Sequence, residues 1–376
     1  MAPVRGGNVF TLLAEARLFF PEMLAAIESS HRYILAEFYL VESGDIAELF
    51  TSAFARAAAR GVRVRVIFDG FGARGFSQAD RSRLQAAGVE LVFFNRPGWH
   101  AFPRLLVRDH RKLLLVDGSV GFTGGAGLSD LFSPGARPES YWRDCMVKIA
   151  GPVLADWHAL FSGTWKRSTG RELDVRADVL APDPVGALGR VAASAGLGTK
   201  EIGREVLKRV RKARFRVWIA TAYFWPSSEL RRALRRAARR GVDVRLLLPN
   251  SLTDAPVIRG VGRLFYEHLL RANVVIYEYQ RSFVHTKVVL CDDWVSMGSS
   301  NLDRWGRLWN LEANQEIDSP AFAAEVQRML ERQFDGSTIL RKVGDVTHHW
   351  SVAFWRLLTR AILTWSTRAA TRLRRR

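Results

Sequence analysis

The sequence has only two cysteines, Cys145 and Cys291, in 376 residues. Neither lies in a CxxC or Cys/His array, which excludes a disulfide framework and a zinc-finger-type site. A chain this long buries a large core without such staples. Acidic residues are also scarce, 37 against 56 Lys and Arg, leaving a formal net charge of +19. The acids form no cluster with metal-ligand spacing, so the chemistry is expected to need neither metal nor cofactor. No uncharged apolar run reaches the roughly 18 residues needed to span a bilayer. The first twenty residues lack the charged region, apolar core and small-residue cleavage site of a secretory signal. The expectation is a protein of the cytoplasm whose membrane contact, if any, is peripheral.

What is abundant points to anionic partners. The basic excess suits nucleic acid, phosphate-rich ligands or an acidic membrane face. Twelve Trp and 22 Phe suit a membrane interface as well as a nucleic-acid groove. At roughly 100–200 residues per domain, the length suggests two or three domains.

The chain is duplicated. AAARGVRVRV at 57–66 returns as AARRGVDVRL at 237–246, and DHRKLLLVDG at 109–118 returns as VHTKVVLCDD at 284–293. Each copy has an apolar strand-like run before the first of these strings, YILAEFYL (33–40) and VWIATAYFW (217–225). Between the two strings lies a helix end followed by an alternating strand. Strands alternating with helices of 10–15 residues predict an α/β sheet covered on both faces. The Gly-, Ala- and Pro-rich segment at about 170–200 is the best candidate boundary. We therefore expect lobes at 1–175 and 176–345, with a ligand cleft where they meet.

The residues that recur carry the chemistry. His110, Lys112 and Asp117 in the first copy match His285, Lys287 and Asp292 in the second, both as H-x-K-x-x-x-x-D. On a strand, i and i+2 share a face, so each His and Lys should project together. The short turns that follow, GGAG with Gly125 and GSSN with Ser299 and Asn301, offer backbone N–H groups and small polar side chains to an oxyanion. A lone His-x-Lys in a basic protein is usually a surface feature, and Asp at a strand end usually a turn-former. Their joint recurrence makes the set a catalytic candidate. Two imidazoles in one cleft suit phosphodiester transfer, one attacking phosphorus and the other moving the proton of the leaving and entering hydroxyls. The lysines would offset charge on the phosphate oxygens.

These residues resemble the paired HKD motifs of the phospholipase D superfamily, and more narrowly those of bacterial cardiolipin synthases of the B type, without N-terminal transmembrane helices. The resemblance runs from residue 7 to about residue 335. Its most specific strings are HRKLLLVDGSVGFTGG, YWRDCMVKIAGPV and HTKVVLCDDWVSMGSSNLDRWGRLWNLEAN. It implies two αβα sandwich lobes about a pseudo-twofold axis, with the active site at their interface and transfer through a phosphohistidine on His110. It implies further that Asp144 hydrogen-bonds the far nitrogen of His110 and that Glu312 does so for His285. Asp117 and Asp292 would brace their motifs. Two departures stand out: Gly127 replaces the usual Asn of the first turn, and the second motif is one residue short between Asp292 and Gly298.

Two further segments bear on the partner. Residues 229–240, ELRRALRRAARR, stack Arg231, Arg235 and Arg239 beside Arg232, Arg236 and Arg240, opposite Leu230, Leu234, Ala237 and Ala238. The C-terminal 346–376 places Trp350, Phe354, Leu358, Ile362 and Trp365 at near-helical spacing and has seven Arg and no acid. It resembles an interfacial helix with a polybasic end. The aromatic stretch 93–106 is a candidate lip. The expected substrate is phosphatidylglycerol at the cytoplasmic face of a bacterial inner membrane, with nucleic acid the weaker alternative. A hydrolase acting on phospholipid or nucleic acid, and a binding protein with a relict site, are the rival classes.

Overall fold

The computed structural model describes residues 2–96, 106–133, 135, 140–177, 180–195 and 201–343. The C-terminal segment 346–376 and most of the 93–106 stretch lie outside the described residues.

The first half runs β1 (Arg5–Leu13), α1 (Ala16–Glu28), β2 (Tyr33–Phe38), α2 (Asp45–Ala59), β3 (Arg63–Asp69), α3 (Gln78–Ala86), β4 (Glu90–Phe94), β5 (Arg108–Asp109), β6 (Lys112–Val116), β7 (Val120–Gly124), β8 (Trp142–Arg143), β9 (Met146–Ala150) and α4 (Leu154–Thr169). The second runs β10 (Ala187–Ala195), α5 (Glu201–Lys212), β11 (Arg216–Ala220), α6 (Ser228–Arg239), β12 (Asp243–Pro249), α7 (Pro256–Arg263), α8 (Tyr266–Leu270), β13 (Val275–Tyr279), β14 (Phe283–Val284), β15 (Val288–Cys291), β16 (Trp294–Gly298), α9 (Arg304–Trp309), β17 (Asn310–Asp318), α10 (Pro320–Phe334) and β18 (Ser337–Leu340).

The long strands join in one sheet, ordered β18-β13-β12-β11-β15-β16-β17-β10-β1-β9-β7-β6-β2-β3-β4. Read outward from the β1–β10 junction, the two sides follow the same order, and the junction itself is antiparallel. That is the twofold arrangement expected of a duplication. Strands β2, β6, β15 and β16 are buried along their whole length, as continuous apolar runs covered on both faces should be. Phe19, Phe20 and Met23 of α1 and Phe50 and Phe54 of α2 pack on one face of the first half. Val206 and Val210 of α5 and Leu230 and Leu234 of α6 do the same in the second. On the opposite face, Trp157 and Phe161 of α4 and Val326 and Leu330 of α10 belong to one apolar core that spans both halves.

The Gly-, Ala- and Pro-rich segment at about 170–200 contains β10, a central strand. ALGRVAASA is small because the junction is tight: a Cβ on Gly189 would crowd the Phe10 ring. Helix α6 matches its sequence pattern, with Leu230, Ala233, Leu234, Ala237 and Ala238 buried and Arg232, Arg236 and Arg239 exposed.

Candidate active site

The site is assembled by two strands of two residues each that cross between the halves. β5, just ahead of His110, pairs in parallel with the start of β17, Arg108 opposite Asn310 and Asp109 opposite Leu311. β14, just ahead of His285, pairs in parallel with β8, Phe283 opposite Trp142 and Val284 opposite Arg143. The ladders continue by one bond each: the His110 N–H donates to Leu311 O at 3.0 Å, and the His285 N–H to Arg143 O at 2.8 Å. The next residue of each partner strand is a buried carboxylate.

This register corrects the expected pairing. His110 Nδ1 meets Glu312 Oε2 at 3.1 Å, and His285 Nδ1 meets Asp144 Oδ2 at 2.7 Å. Each imidazole is therefore oriented by the other half's carboxylate, because the strand beside each histidine comes from the other half. A carboxylate on Nδ1 fixes the tautomer and leaves Nε2 for the reaction.

His110 and His285 face one cavity of about 350 Å³, shared with Tyr39, Arg108, Lys112, Trp142 and Asn301. Neither histidine lies within a long strand; each sits at the bend between its two-residue strand and the hairpin that follows. Lys112 and Lys287 are almost fully buried, and each Nζ donates to the carbonyl of its own motif's histidine, Lys112 at 2.5 Å. Lys287 Nζ also lies 2.9 Å from His285 Nδ1 and 3.8 Å from Asp144 Oδ2.

Burial dominates the electrostatics. It pushes the Lys112 ammonium down to about 7, with Lys287 adding repulsion, against the pull of Glu312. It lowers Lys287 as well. Both imidazoles are lowered by burial; Glu312 counters this at His110, whereas Lys287 and Lys112 push His285 well below its ordinary value. Burial would raise Glu312, yet His110, Lys112 and Ser299 outweigh it and hold this carboxylate below its usual range. Asp144 is raised by burial to about 6 despite Lys287 and the Cys145 N–H. Burial thus favours the neutral form of both imidazoles.

The small turns support the carboxylates. Ser299 Oγ donates to Glu312 Oε2 at 2.5 Å, and Asn310 Nδ2 donates to Oε1 at 3.1 Å. At the matching position of the first half, Gly125 lines the cavity, and a Cβ there would overlap the Asp144 carboxylate. Asn301 lines the cavity with its Oδ1 buried and without a hydrogen-bond partner among the described residues. Gly127 packs so closely on the Leu40 carbonyl that a larger residue has no room, which accounts for the missing Asn.

Asp117 and Asp292 do not reach the cavity; each stands a strand length away, about 16 Å at 3.3 Å per residue. Asp117 accepts the N–H groups of His31, Arg32 and Tyr33 at 2.8–2.9 Å. Asp292 accepts those of Arg214, Phe215 and Arg216 at 2.9–3.0 Å. Both have left-handed backbones, φ 53° and 51°, a conformation that short polar side chains tolerate. They tie each motif to the strand beside it. The missing residue of the second motif falls in this hairpin turn, Asp292–Asp293 against Asp117–Ser119, and leaves the cavity untouched.

Sequence reasoning missed the aromatic wall. Trp142 and Phe132 lie with ring centroids 4.9 and 5.6 Å from His285, and Tyr39 lies 4.8 Å from His110. Arg108, two residues before His110, was missed as well. Its position in β5 shows no periodicity by which to recognise it. Among the described residues, no group of three or more His, Cys, Asp or Glu is placed to hold a metal, and no helix is long and apolar enough to cross a membrane.

The fold and the paired motifs define a phospholipase D-like protein. The known structure of phosphatidylserine synthase from Haemophilus influenzae Rd KW20 superposes with a TM-score of 0.76 over 97% of this chain and 96% of that one, at 13% identity. The family model described as "Cardiolipin synthase, PLD-like domain" matches residues 23–154 and 206–334. Cardiolipin synthase A of Pseudomonas entomophila (strain L48) is 36% identical over 340 residues, covering 89% of this chain and 70% of that one. The cardiolipin synthase of Geobacillus kaustophilus (strain HTA426) is 31% identical over 320 residues, covering 83% and 63%. The chain belongs to the cardiolipin synthase family.

Proposed function

We propose that the protein makes cardiolipin by moving a phosphatidyl group from one phosphatidylglycerol to another. The observation that carries this reading is the crossed pair of imidazoles, each backed by the other half's carboxylate, facing one cavity with Lys112 at its wall. His110, backed by ionised Glu312, is the better nucleophile. Its Nε2 forms the P–N bond as the P–O bond to the headgroup glycerol breaks. The anionic phosphodiester raises the His285 pKa on binding, and His285 then gives its proton to the departing alkoxide. In the second step His285 takes the proton of the acceptor lipid's glycerol hydroxyl, that oxygen bonds to phosphorus, and the P–N bond breaks to free His110. Lys112 and Lys287 offset charge on the phosphate oxygens, and Asn301 offers a side chain to them.

The substrate is a phospholipid, and the chain is assigned to the cytoplasmic face of a bacterial inner membrane as a peripheral protein. Residues 1–175 and 176–345 form the two lobes. Residues 346–376, with the exposed Arg232, Arg236 and Arg239 of α6, would hold the cleft at the anionic surface. The test is purified protein with phosphatidylglycerol vesicles labelled in the phosphatidyl group. Labelled cardiolipin and an equivalent of free glycerol are expected. Phosphatidic acid as the sole product would make the enzyme a hydrolase.

A further inference from the structure

The halves are equivalent in backbone, but the two ends of the cavity differ in chemistry. At the His285 end, β14 supplies Phe283, whose ring centroid lies 5.0 Å from Trp142 and 5.7 Å from His285. At the His110 end, the matching position in β5 is Arg108, beside Asn310. Arg108 lines the same cavity as both histidines and is the only arginine among the described residues that do so. It is 7% exposed.

Its guanidinium is under-used. Among the described residues its ion-pair partner is Asp69, 3.4 Å from Nη1, which already accepts the N–H groups of Phe71, Gly72 and Asp109. Arg108 Nε and Nη2 are buried with no hydrogen-bond partner among the described residues. Buried donors are normally satisfied, and a guanidinium offers a fixed fork that matches a phosphate. The reaction brings two phosphodiesters into this cleft. The one that reacts sits between the histidines and lysines, which leaves the second lipid's phosphate in need of its own cation.

We propose that Arg108 binds the phosphodiester of the acceptor lipid and so selects an anionic phospholipid, rather than a neutral alcohol, as the group that enters. The proposal rests on the transfer reading above. Arg108 does not touch the reacting phosphorus; it is a specificity residue.

The test compares two acceptors that share one donor. Phosphatidylglycerol vesicles labelled in the phosphatidyl group report cardiolipin, in which the acceptor carries a phosphate. Radiolabelled free glycerol added to unlabelled vesicles reports headgroup exchange, in which the acceptor carries none. The variants are Arg108→Gln, Arg108→Lys, which keeps the charge beside Asp69, and Asp69→Asn/Arg108→Gln, which removes both buried charges together. The expected result for the two glutamine variants is cardiolipin formation reduced by about tenfold or more, the size of a lost charged hydrogen bond. It should show as a raised apparent KM for acceptor lipid, with glycerol exchange kept within about threefold. Arg108→Lys should show a smaller loss of the same selectivity. Equal loss of both products in all three variants, by unfolding or by damage to the site, would make Arg108 structural and overturn the proposal. Undiminished cardiolipin formation would overturn it too. A wild-type protein that forms neither product refutes the transfer reading beneath it.

Discussion

Exchanging Glu312 for glutamine preserves the side chain's size and removes the charge that faces His110. Asn310 Nδ2 donates to Oε1 of Glu312, so the new amide would keep its oxygen there and turn its nitrogen toward His110 and Ser299. Nδ1 of His110 lies 3.1 Å from both carboxylate oxygens, so it would face one neutral acceptor and one donor in place of a carboxylate, and the hold that keeps the ring proton on Nδ1 and Nε2 free to attack would weaken. A hydrogen bond to a charged group contributes about 1.5–3 kcal/mol, and one factor of ten is about 1.4 kcal/mol, so turnover should fall about 10- to 150-fold. The assay is cardiolipin formation in phosphatidylglycerol vesicles, paired with the nitrogen resonances of ¹⁵N-histidine-labelled protein. Glu312→Gln should move the His110 signals and leave those of His285, and Asp144→Asn should do the reverse. Turnover within about twofold of wild type, or the opposite assignment of the shifted signals, would refute the crossed pairing.

Other predictions concern space, protons and the membrane. In Gly125→Ala the new Cβ collides with Asp144 and must displace the carboxylate that orients His285, costing about 1–3 kcal/mol and most of the turnover; Gly163→Ala in α4, where a Cβ meets nothing, should leave turnover intact and raise the melting temperature slightly, Ala being about 0.5–1 kcal/mol better than Gly inside a helix. Because burial holds Lys112 at about 7, it loses its charge as pH rises through that value, so kcat/KM should fall on the alkaline side of pH 7. The limb for kcat should lie higher, since bound phosphate favours the ammonium, and Lys112→Met should lose both limbs. Deleting residues 346–376 should weaken co-sedimentation with anionic vesicles, each Arg near such a surface being worth on the order of 1 kcal/mol. Equal binding of both forms at every salt concentration would place the anchor elsewhere.

The sequence made the duplication, the α/β class and both H-x-K sets legible, because the same apolar strand-like runs, helix ends and motif strings repeat along the chain. Asp117 and Asp292 recur with the catalytic set; the family resemblance, rather than the strand pattern, marks them as braces. The crossed carboxylates were not legible. They depend on β5–β17 and β8–β14 pairing across the halves, and two-residue strands leave no pattern. At 187–195 composition alone did not show that the small residues form a close strand junction. Arg108 was hidden for a related reason: in a basic chain, one more arginine carries no signal until its Nε and Nη2 are seen buried without a partner among the described residues.

The central claim is that two histidines, one from each half, divide nucleophile and proton carrier across the interface. It is tested most directly in His285→Ala with a phosphatidyl ester of p-nitrophenol, whose leaving group needs no proton. Attack by His110 should release one equivalent of nitrophenolate in a burst, and the phosphatidyl adduct should persist because no base activates the acceptor. Mass spectrometry should then find the adduct on His110, and His110→Ala should show neither burst nor adduct. An adduct on His285 in His110→Ala, or steady turnover in His285→Ala without any adduct, would contradict the account.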